Sequence, residues 1–305
     1  MDTALSVVWQ LARSSARALV VAAAMFVFIA WFEHRAGRDM RRYLRRAFAF
    51  DLLYFVFYQG GTWAMLFASL VGTWAEPWLQ QFQWHLIEPL PAWAQAIAYW
   101  TAADFLAYWV HRTQHRFSAL WAFHSLHHAT EHLTFASSYR NHPAEQLMVS
   151  VVLLVPLTML GMSPSLWFPF WLLMQLFEGL KHSQVDWTYG RLGSVFVSPR
   201  FHQVHHAPER QRHDGNYAAI FSVWDRLFGT AAADQTPPQR YGIEGVSEPL
   251  TVRDQLMLPF RVLRRRPDAD QAPTLPHEHS AMRPEPSSDV ATASRRDALD
   301  TGNAA

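Results

Sequence analysis

The sequence predicts an all-α fold: a multi-pass membrane helical bundle of about four to five spans, with a cytoplasmic helical cap carrying a histidine-ligated dimetal site. Three observations point there. Apolar runs close to spanning length alternate with polar loops. The loops differ sharply in arginine content. Most of the sixteen histidines gather in short clusters just beyond the ends of the apolar runs. The 305 residues suffice for one or two domains, and half of them are hydrophobic. The near-neutral mean hydropathy averages over unlike regions. No cysteine is present, which excludes disulfides, thiolate metal sites, Fe–S clusters and cysteine nucleophiles. A metal must then be held by His, Asp, Glu or Asn. The net charge of +1 is uninformative because the arginines are clustered, and no basic face suggests a nucleic-acid partner.

The chain opens as a short interfacial helix running into a retained membrane helix. Arg13 and Arg17 interrupt its apolar pattern and no small-residue cleavage site follows, so it does not read as a secretory signal. A spanning helix needs roughly 20 mostly apolar residues. Residues 18–32 form a first candidate, residues 48–74 a second with Gly60 and Gly61 inside it, and residues 93–110 a third. The run 147–180 is too long for one helix; Gly161, Ser163 and Pro164 break it into a hairpin of two spans. Arg35, Arg38, Arg41, Arg42, Arg45 and Arg46 follow the first run, whereas residues 75–93 hold no Lys or Arg. Arginine-rich loops stay in the cytoplasm, and alternation then places residues 111–146, and everything from 181 onward, on the cytoplasmic side. The expected location is an inner or plasma membrane.

Four segments result. Residues 1–47 hold the first helix, its span and the arginine-rich loop. Residues 48–235 form the membrane domain with the histidine clusters. Residues 236–266 read as an amphipathic peripheral segment. Residues 267–305, rich in Pro, Ala, Asp, Ser and Glu, read as a disordered tail. His277 and His279 fall in that tail, and His34 and His85 stand alone in loops; none is assigned a site role.

The histidine clusters are ordered. HRTQH holds His111 and His115; HSLHH holds His124, His127 and His128; HQVHH holds His202, His205 and His206. Residues three and four apart share a helical face, so each cluster is expected to aim its imidazoles at one place. Neutral imidazole suits iron, zinc and copper, and eight such ligands suit two ions rather than one. A lone histidine, or one i,i+4 pair, would more often be an ordinary surface or core residue. Three clusters, two with the same H-x-x-H-H spacing and all on one predicted side, are not explained that way. His111 follows the third run without a break, which puts His111 and His115 about one turn beyond the hydrocarbon.

At these residues the chain resembles the fatty acid hydroxylase/sterol desaturase superfamily of membrane enzymes. The matching stretches are DFLAYWVHRTQH (104–115), LWAFHSLHHAT (120–130), RNHPAEQL (140–147), KHS (181–183), SPRFHQVHH (198–206), DGNYA (214–218) and WDRLFGT (224–230). The resemblance covers roughly residues 45–235. It implies an all-helical membrane fold with a di-iron centre, for which zinc can substitute in purified protein. It implies nine metal ligands: His111, His115, His124, His127, His128, His182, His202, His205 and His206. Some eukaryotic members carry a histidine four residues before the one matched by His182; here Glu178 stands there, and it could ligate, brace a ligand, or neither. Asp104, two turns before His111 on the same face, is expected to accept a hydrogen bond from a ligand imidazole, because a carboxylate near a span end needs a partner. Glu145, Asp214 and Asn216 are weaker candidates for the same role. His142 is read as shaping the site or its mouth, His132 as solvated or interfacial, and Trp224–Thr230 as a packing and turn element. His213 falls outside the matching positions.

The implied reaction is O₂-dependent hydroxylation of a lipid: a fatty acyl, sterol-like or other long apolar substrate. Desaturation by the same site is the alternative. The substrate pocket is expected among the spans, near Phe105, Tyr108, Trp109, Trp171 and Phe177. No dinucleotide fingerprint or ferredoxin cysteine is present, so an external electron donor is implied, a separate reductase or ferredoxin, or a pterin as in related alkylglycerol monooxygenases. A metal transporter is the rival from another class, but transporter ligands gather near the midplane at broken helices, not beyond span ends. A non-catalytic metal- or lipid-binding membrane protein is a third reading, which the full set of nine histidines disfavours. Oligomeric state is not legible.

Overall fold

The structure is a computed structural model that describes residues 2–249 and 251–264. The expected tail lies outside the described residues. Among these residues every regular element is a helix, apart from one isolated bridge between Ile243 and Val246.

Helix α1 (Asp2–Arg35) is continuous over 34 residues, not an interfacial helix followed by a span. Ala18, Ala22, Met25 and Ile29 recur at three- and four-residue steps, share one face, and are all buried. Val20, Val27, Phe28 and Trp31 on the other faces stay exposed. The run 48–74 does not make one helix. It divides into α2 (Arg46–Gln59), α3 (Thr62–Phe67), a π-helical turn at Ala68–Gly72, and α4 (Thr73–Gln81). The break has a packing cause. The Gly60 carbonyl accepts from Ser15 Oγ of α1 at 3.2 Å, and Gly61 has φ +92°, where a Cβ would lie 3.1 Å from Ser14 Cβ. A residue other than glycine would have to adopt a strained backbone against α1.

Helix α5 (Ala92–Arg116) runs 25 residues and turns at Phe117 into α6 (Ser118–His128). The run 147–180 breaks where expected, into α7 (Pro143–Leu160) and α8 (Trp167–Lys181), but only α7 is long and apolar enough to be a candidate span. The turn between them holds Gly161 at φ +65°, where a Cβ would meet His85 Cα at 2.9 Å. Two helices, Ser6–Arg35 and Pro143–Leu160, are long and apolar enough to cross a membrane by length and composition. Helix α5 carries the buried polar residues Gln95, Asp104 and Gln114. Helix α8 has 15 residues.

The remaining helices are short. They are α9 (Pro199–His205), α10 (Arg210–His213), α11 (Val223–Leu227) and α12 (Val252–Arg264). The core joins the buried stripe of α1 to Tyr54, Phe55 and Tyr58 of α2, Leu126 of α6, and Phe135 and Tyr139 of the loop beyond it. Helix α8 meets α1 at Gly179, where a Cβ would lie 2.3 Å from Met25 Cε and 3.2 Å from Ile29 Cδ1. Two buried charge networks tie the loops to this core. Arg140, fully buried, bonds Asp51 of α2 at 2.7 Å, Glu248 at 2.5 Å and the Ala47 carbonyl at 3.0 Å. Glu33 at the end of α1 pairs with Arg42, accepts from Tyr43 Oη at 2.6 Å and accepts from the Gln184 amide at 2.8 Å. Removing one partner from such a buried pair costs about 3–5 kcal/mol.

Candidate metal centre

Each helix that carries ligands is started or stopped by a local device. The α5–α6 corner at Phe117 folds the His111/His115 face onto the His124/His128 face. Helix α9 begins with Ser198, whose Oγ accepts from the Phe201 amide at 3.2 Å, followed by Pro199 in the first turn. Both are strong N-terminal signals. They fix the helix phase and so the direction of His202, His205 and His206. His182 is the C-cap residue of α8.

All nine histidines named from the sequence come together, in two groups. His111, His115, His124, His128 and His205 place one nitrogen each within 4.8 Å of one another; so do His127, His182, His202 and His206. The two groups adjoin: the His128 and His206 rings stack with centroids 4.6 Å apart. The partition differs from the expectation that each box serves one place. Box 124–128 gives its i,i+4 pair, His124 and His128, to the five-membered group and His127 to the other. Box 202–206 does the converse, giving His202 and His206 to the four-membered group and His205 to the five. Each H-x-x-H-H box therefore straddles both groups.

The back sides of the rings decide the tautomers. A carbonyl oxygen only accepts, so an imidazole nitrogen facing one must carry the proton. His111 Nδ1 donates to the Tyr217 carbonyl at 2.7 Å, His205 Nδ1 to the Gly215 carbonyl at 2.8 Å, and His182 Nδ1 to the Glu178 carbonyl at 2.9 Å. His124 Nδ1 donates to Glu145 Oε1 at 2.7 Å. In the neutral rings each Nε2 is then a lone pair. Yet His111 Nε2 lies 3.1 Å from His124 Nε2, and His182 Nε2 lies 3.0 Å from His202 Nε2 and 3.3 Å from His127 Nε2. His202 and His206 approach at 3.2 Å in the same way. At His111 and His124, whose Nδ1 protons are both committed, two lone pairs facing at this distance repel unless a cation sits between them. Nitrogens about 2.0–2.1 Å from one tetrahedral ion stand about 3.3 Å apart. The residues present therefore fit metal ions, and an all-imidazole donor set suits iron, zinc or copper. Burial, reinforced by neighbouring imidazoles, pushes His127, His128, His202, His205 and His206 well below the usual histidine pKa. They are neutral near pH 7, the form a metal needs.

The candidate carboxylates behave differently from expectation. Asp104 does not reach a histidine. Its oxygens accept from the Ile220 and Phe221 amides, each at 2.8 Å, and from Trp224 Nε1 at 2.9 Å. It pins the loop three residues beyond Tyr217, and so acts on His111 only through that backbone. The Glu178 carboxylate pairs with Lys181 at 2.6 Å; its backbone carbonyl, not its side chain, orients His182. Asn216 is fully buried with φ +58°, a left-handed conformation that Asn tolerates better than most residues. Its Nδ2 donates to the Phe201 carbonyl at 2.8 Å and its Oδ1 accepts from the Ala232 amide at 2.8 Å. It holds in place the carbonyls on either side of it, Gly215 and Tyr217, which orient His205 and His111.

Glu145, the weaker candidate, is the carboxylate that binds a ligand imidazole directly, and Gln114 Nε2 donates to the same oxygen at 2.7 Å. Asp214 lies 3.4 Å from His115 Nδ1. His142 caps α7, its Nδ1 accepting from the Ala144 amide at 3.1 Å. His213 stacks on Trp121 with centroids 5.2 Å apart. The residues 224–230 turn, as expected, on packing: Asp225 accepts from the Tyr217 and Ala218 amides and from Thr230 Oγ1. Sequence reasoning did not single out the Gly215 and Tyr217 carbonyls. The readable signal was a Gly-Asn pair, which favours a turn. Lys181, buried beside the four-histidine group, was also missed. Of the residues expected to line a substrate pocket, Phe177 borders a wholly apolar groove of about 300 Å³ with Leu176, Leu180, Tyr189, Leu192 and Phe196. Trp171 instead donates to Gln59 at 2.8 Å, while Phe105, Tyr108 and Trp109 pack against Phe228.

Comparison with known proteins adds three facts. The family model described as Fatty acid hydroxylase matches residues 96–230. Curated relatives include the alkylglycerol monooxygenase of Danio rerio, 32% identical over 54% of this chain and 36% of its own length. The ornithine lipid hydroxylase OlsE of Rhizobium tropici is 29% identical over 54% of this chain and 50% of its own. The methylsterol monooxygenase 1-3 of Arabidopsis thaliana is 30% identical over 45% of this chain and 47% of its own. The matched region thus spans half or less of each of these relatives. No solved structure gives a significant match.

Proposed function

Because the chain belongs to the fatty acid hydroxylase/sterol desaturase superfamily, we propose that it is a membrane-embedded, O₂-dependent hydroxylase of a long apolar lipid, with one iron in each histidine group. The observation that carries this reading is the convergence of nine imidazoles in two adjoining groups, with the back-side proton fixed at His111, His124 and His205 of one and at His182 of the other. The overall reaction is a lipid C–H bond, O₂, two electrons and two protons going to a lipid alcohol and water. Iron, when bound, supplies the one-electron chemistry for reducing O₂ and oxidising an unactivated C–H bond. Nothing else in the donor set can: there is no thiol and no organic cofactor motif. The two electrons come from a separate reductase or ferredoxin.

The chain's own residues bind, orient and exclude water. Tyr217, Gly215 and Glu178 hold their three imidazoles by backbone carbonyls, and Glu145 holds His124 by a carboxylate. The buried walls keep bulk water from the histidines, eight of which are themselves buried. The apolar groove beside α8 is lined by Leu176, Phe177 and Leu180, the last of these two residues before His182 in the chain; it is the candidate site for an acyl chain. Helices α1 and α7 are the candidate spans, and the arginine-rich loop after α1 supports a cytoplasmic side for the histidines. Oxygen insertion is favoured over desaturation because the relatives above are hydroxylases and monooxygenases by name.

The test uses the full-length chain loaded with iron, given a reductant and ¹⁸O₂ with a panel of lipid extracts. A product lipid carrying one ¹⁸O is expected. Oxygen taken from water, or a dehydrogenated product without added oxygen, would overturn hydroxylation.

A further inference from the structure

We propose that α12 is an interfacial anchor that lays an outward apolar stripe on an anionic lipid surface, level with the helices of the metal centre. The inference rests on the membrane reading above and adds a partner for a face that reading leaves bare. Gln255, Leu258, Pro259 and Val262 recur at three- and four-residue steps and form the inner face; Gln255, Leu258 and Pro259 are buried. That face packs on α6, the helix of His124, His127 and His128, and Phe260 meets Phe123 with centroids 6.3 Å apart. A second apolar stripe faces outward. Val252, Leu256, Phe260 and Leu263 are 49%, 38%, 46% and 46% exposed. At about 100° per residue they fall within about 80° of arc. Arg253 and Arg264 lie immediately beside that arc, and Arg261, paired with Asp254 at 2.6 Å, lies further round.

An apolar stripe beside arginines is the pattern of a helix lying in a headgroup layer. The position agrees with the pattern. The Leu256 carbonyl faces His142 Nε2 at 3.4 Å, and His142 caps the N-terminus of α7. Helix α7 is one of the two helices apolar and long enough to span. Helix α12 therefore sits at the end of a candidate span, where hydrocarbon gives way to headgroups. The arginines select the anionic surface, since a basic side chain there gains from each negative headgroup within a Debye length.

The chain has no cysteine, so one introduced cysteine carries the sole label. Leu256→Cys, Phe260→Cys and Arg261→Cys are made singly in the full-length chain, with Val152→Cys on α7 as reference. Each is spin-labelled in nanodiscs of phosphatidylcholine with or without phosphatidylglycerol. Collision with O₂ reports lipid, and collision with a nickel chelate reports water. The labels at 256 and 260 are expected to favour O₂ over nickel several-fold more than the label at 261, and more strongly with phosphatidylglycerol. Nickel access at 256 and 260 with a lipid-facing 152 would overturn the anchor and leave the membrane reading standing. Nickel access at 152 as well would overturn both. Shielding of 256 and 260 from both reagents would mean that protein covers the stripe, and would also overturn the anchor. Indifference to phosphatidylglycerol would remove the anionic selectivity.

Discussion

The five-histidine and four-histidine groups draw on the same boxes but are braced differently. Behind the five stand a carboxylate, Glu145 on His124, and two backbone carbonyls on His111 and His205, while His115 Nδ1, 3.4 Å from Asp214, makes no hydrogen bond. Behind the four stands one carbonyl, Glu178 on His182; the Nδ1 atoms of His127, His202 and His206 are buried with no protein hydrogen bond. Burial, and behind it the cation Lys181, hold the His182 and His202 imidazoles below the usual histidine pKa. Negative charge behind a ligand raises its basicity and tightens the ion. On the proposed reading the five-histidine group would hold its ion more firmly than the four-histidine group.

The sharpest way to break this comparison is to remove one ligand from each group. His182→Ala is expected to cut metal content from two ions to one per chain and abolish turnover, with the remaining ion bound as tightly as before. His128→Ala should be worse, because His128 stacks on His206 and so supports both groups. Metal analysis after gel filtration reads both. Loss of both ions from His182→Ala would erase the distinction.

Next in size is Glu145→Ala, which leaves the His124 Nδ1 proton unpaired in a buried site. Metal affinity should fall about 10–100-fold at the five-histidine group alone, with partial recovery in Glu145→Gln; competition with a chelator measures it. An equal loss at both groups would contradict the assignment of Glu145 to one.

Asn216→Ala should lose two buried hydrogen bonds and strain the left-handed backbone, costing about 2 kcal/mol of stability. It should weaken the five-histidine ion because both neighbouring carbonyls move. Thermal unfolding with and without metal checks this. The smallest effect is expected from Glu178→Gln. The amide still accepts from Lys181 and the backbone carbonyl still orients His182, so metal content should stay at two while the melting point drops by a few degrees. Loss of the four-histidine ion in this variant would show that the carboxylate itself ligates.

The convergence of the histidines was legible because i,i+3 and i,i+4 spacing is a local property of the sequence. Their sorting into two groups was not. His127 and His205 leave their box-mates because α6 and α9 face each other across both groups, which only tertiary packing sets. The break between α7 and α8 was readable from Gly161 and Pro164, which act locally. The second expected span was not, because its break at Gly60–Gly61 answers to Ser14 and Ser15 on another helix. Asp104 illustrates the same limit. Its position two turns from His111 was right, but its partners came from a loop more than a hundred residues later. The orienting carbonyls of Gly215 and Tyr217 belong to the backbone, which side-chain identity does not mark.

Anomalous scattering at the iron edge, from crystals of the full-length chain loaded with iron, tests the central claim most directly. Two peaks are expected, one among His111, His115, His124, His128 and His205 and one among His127, His182, His202 and His206. A single peak, or peaks away from these rings, would contradict it.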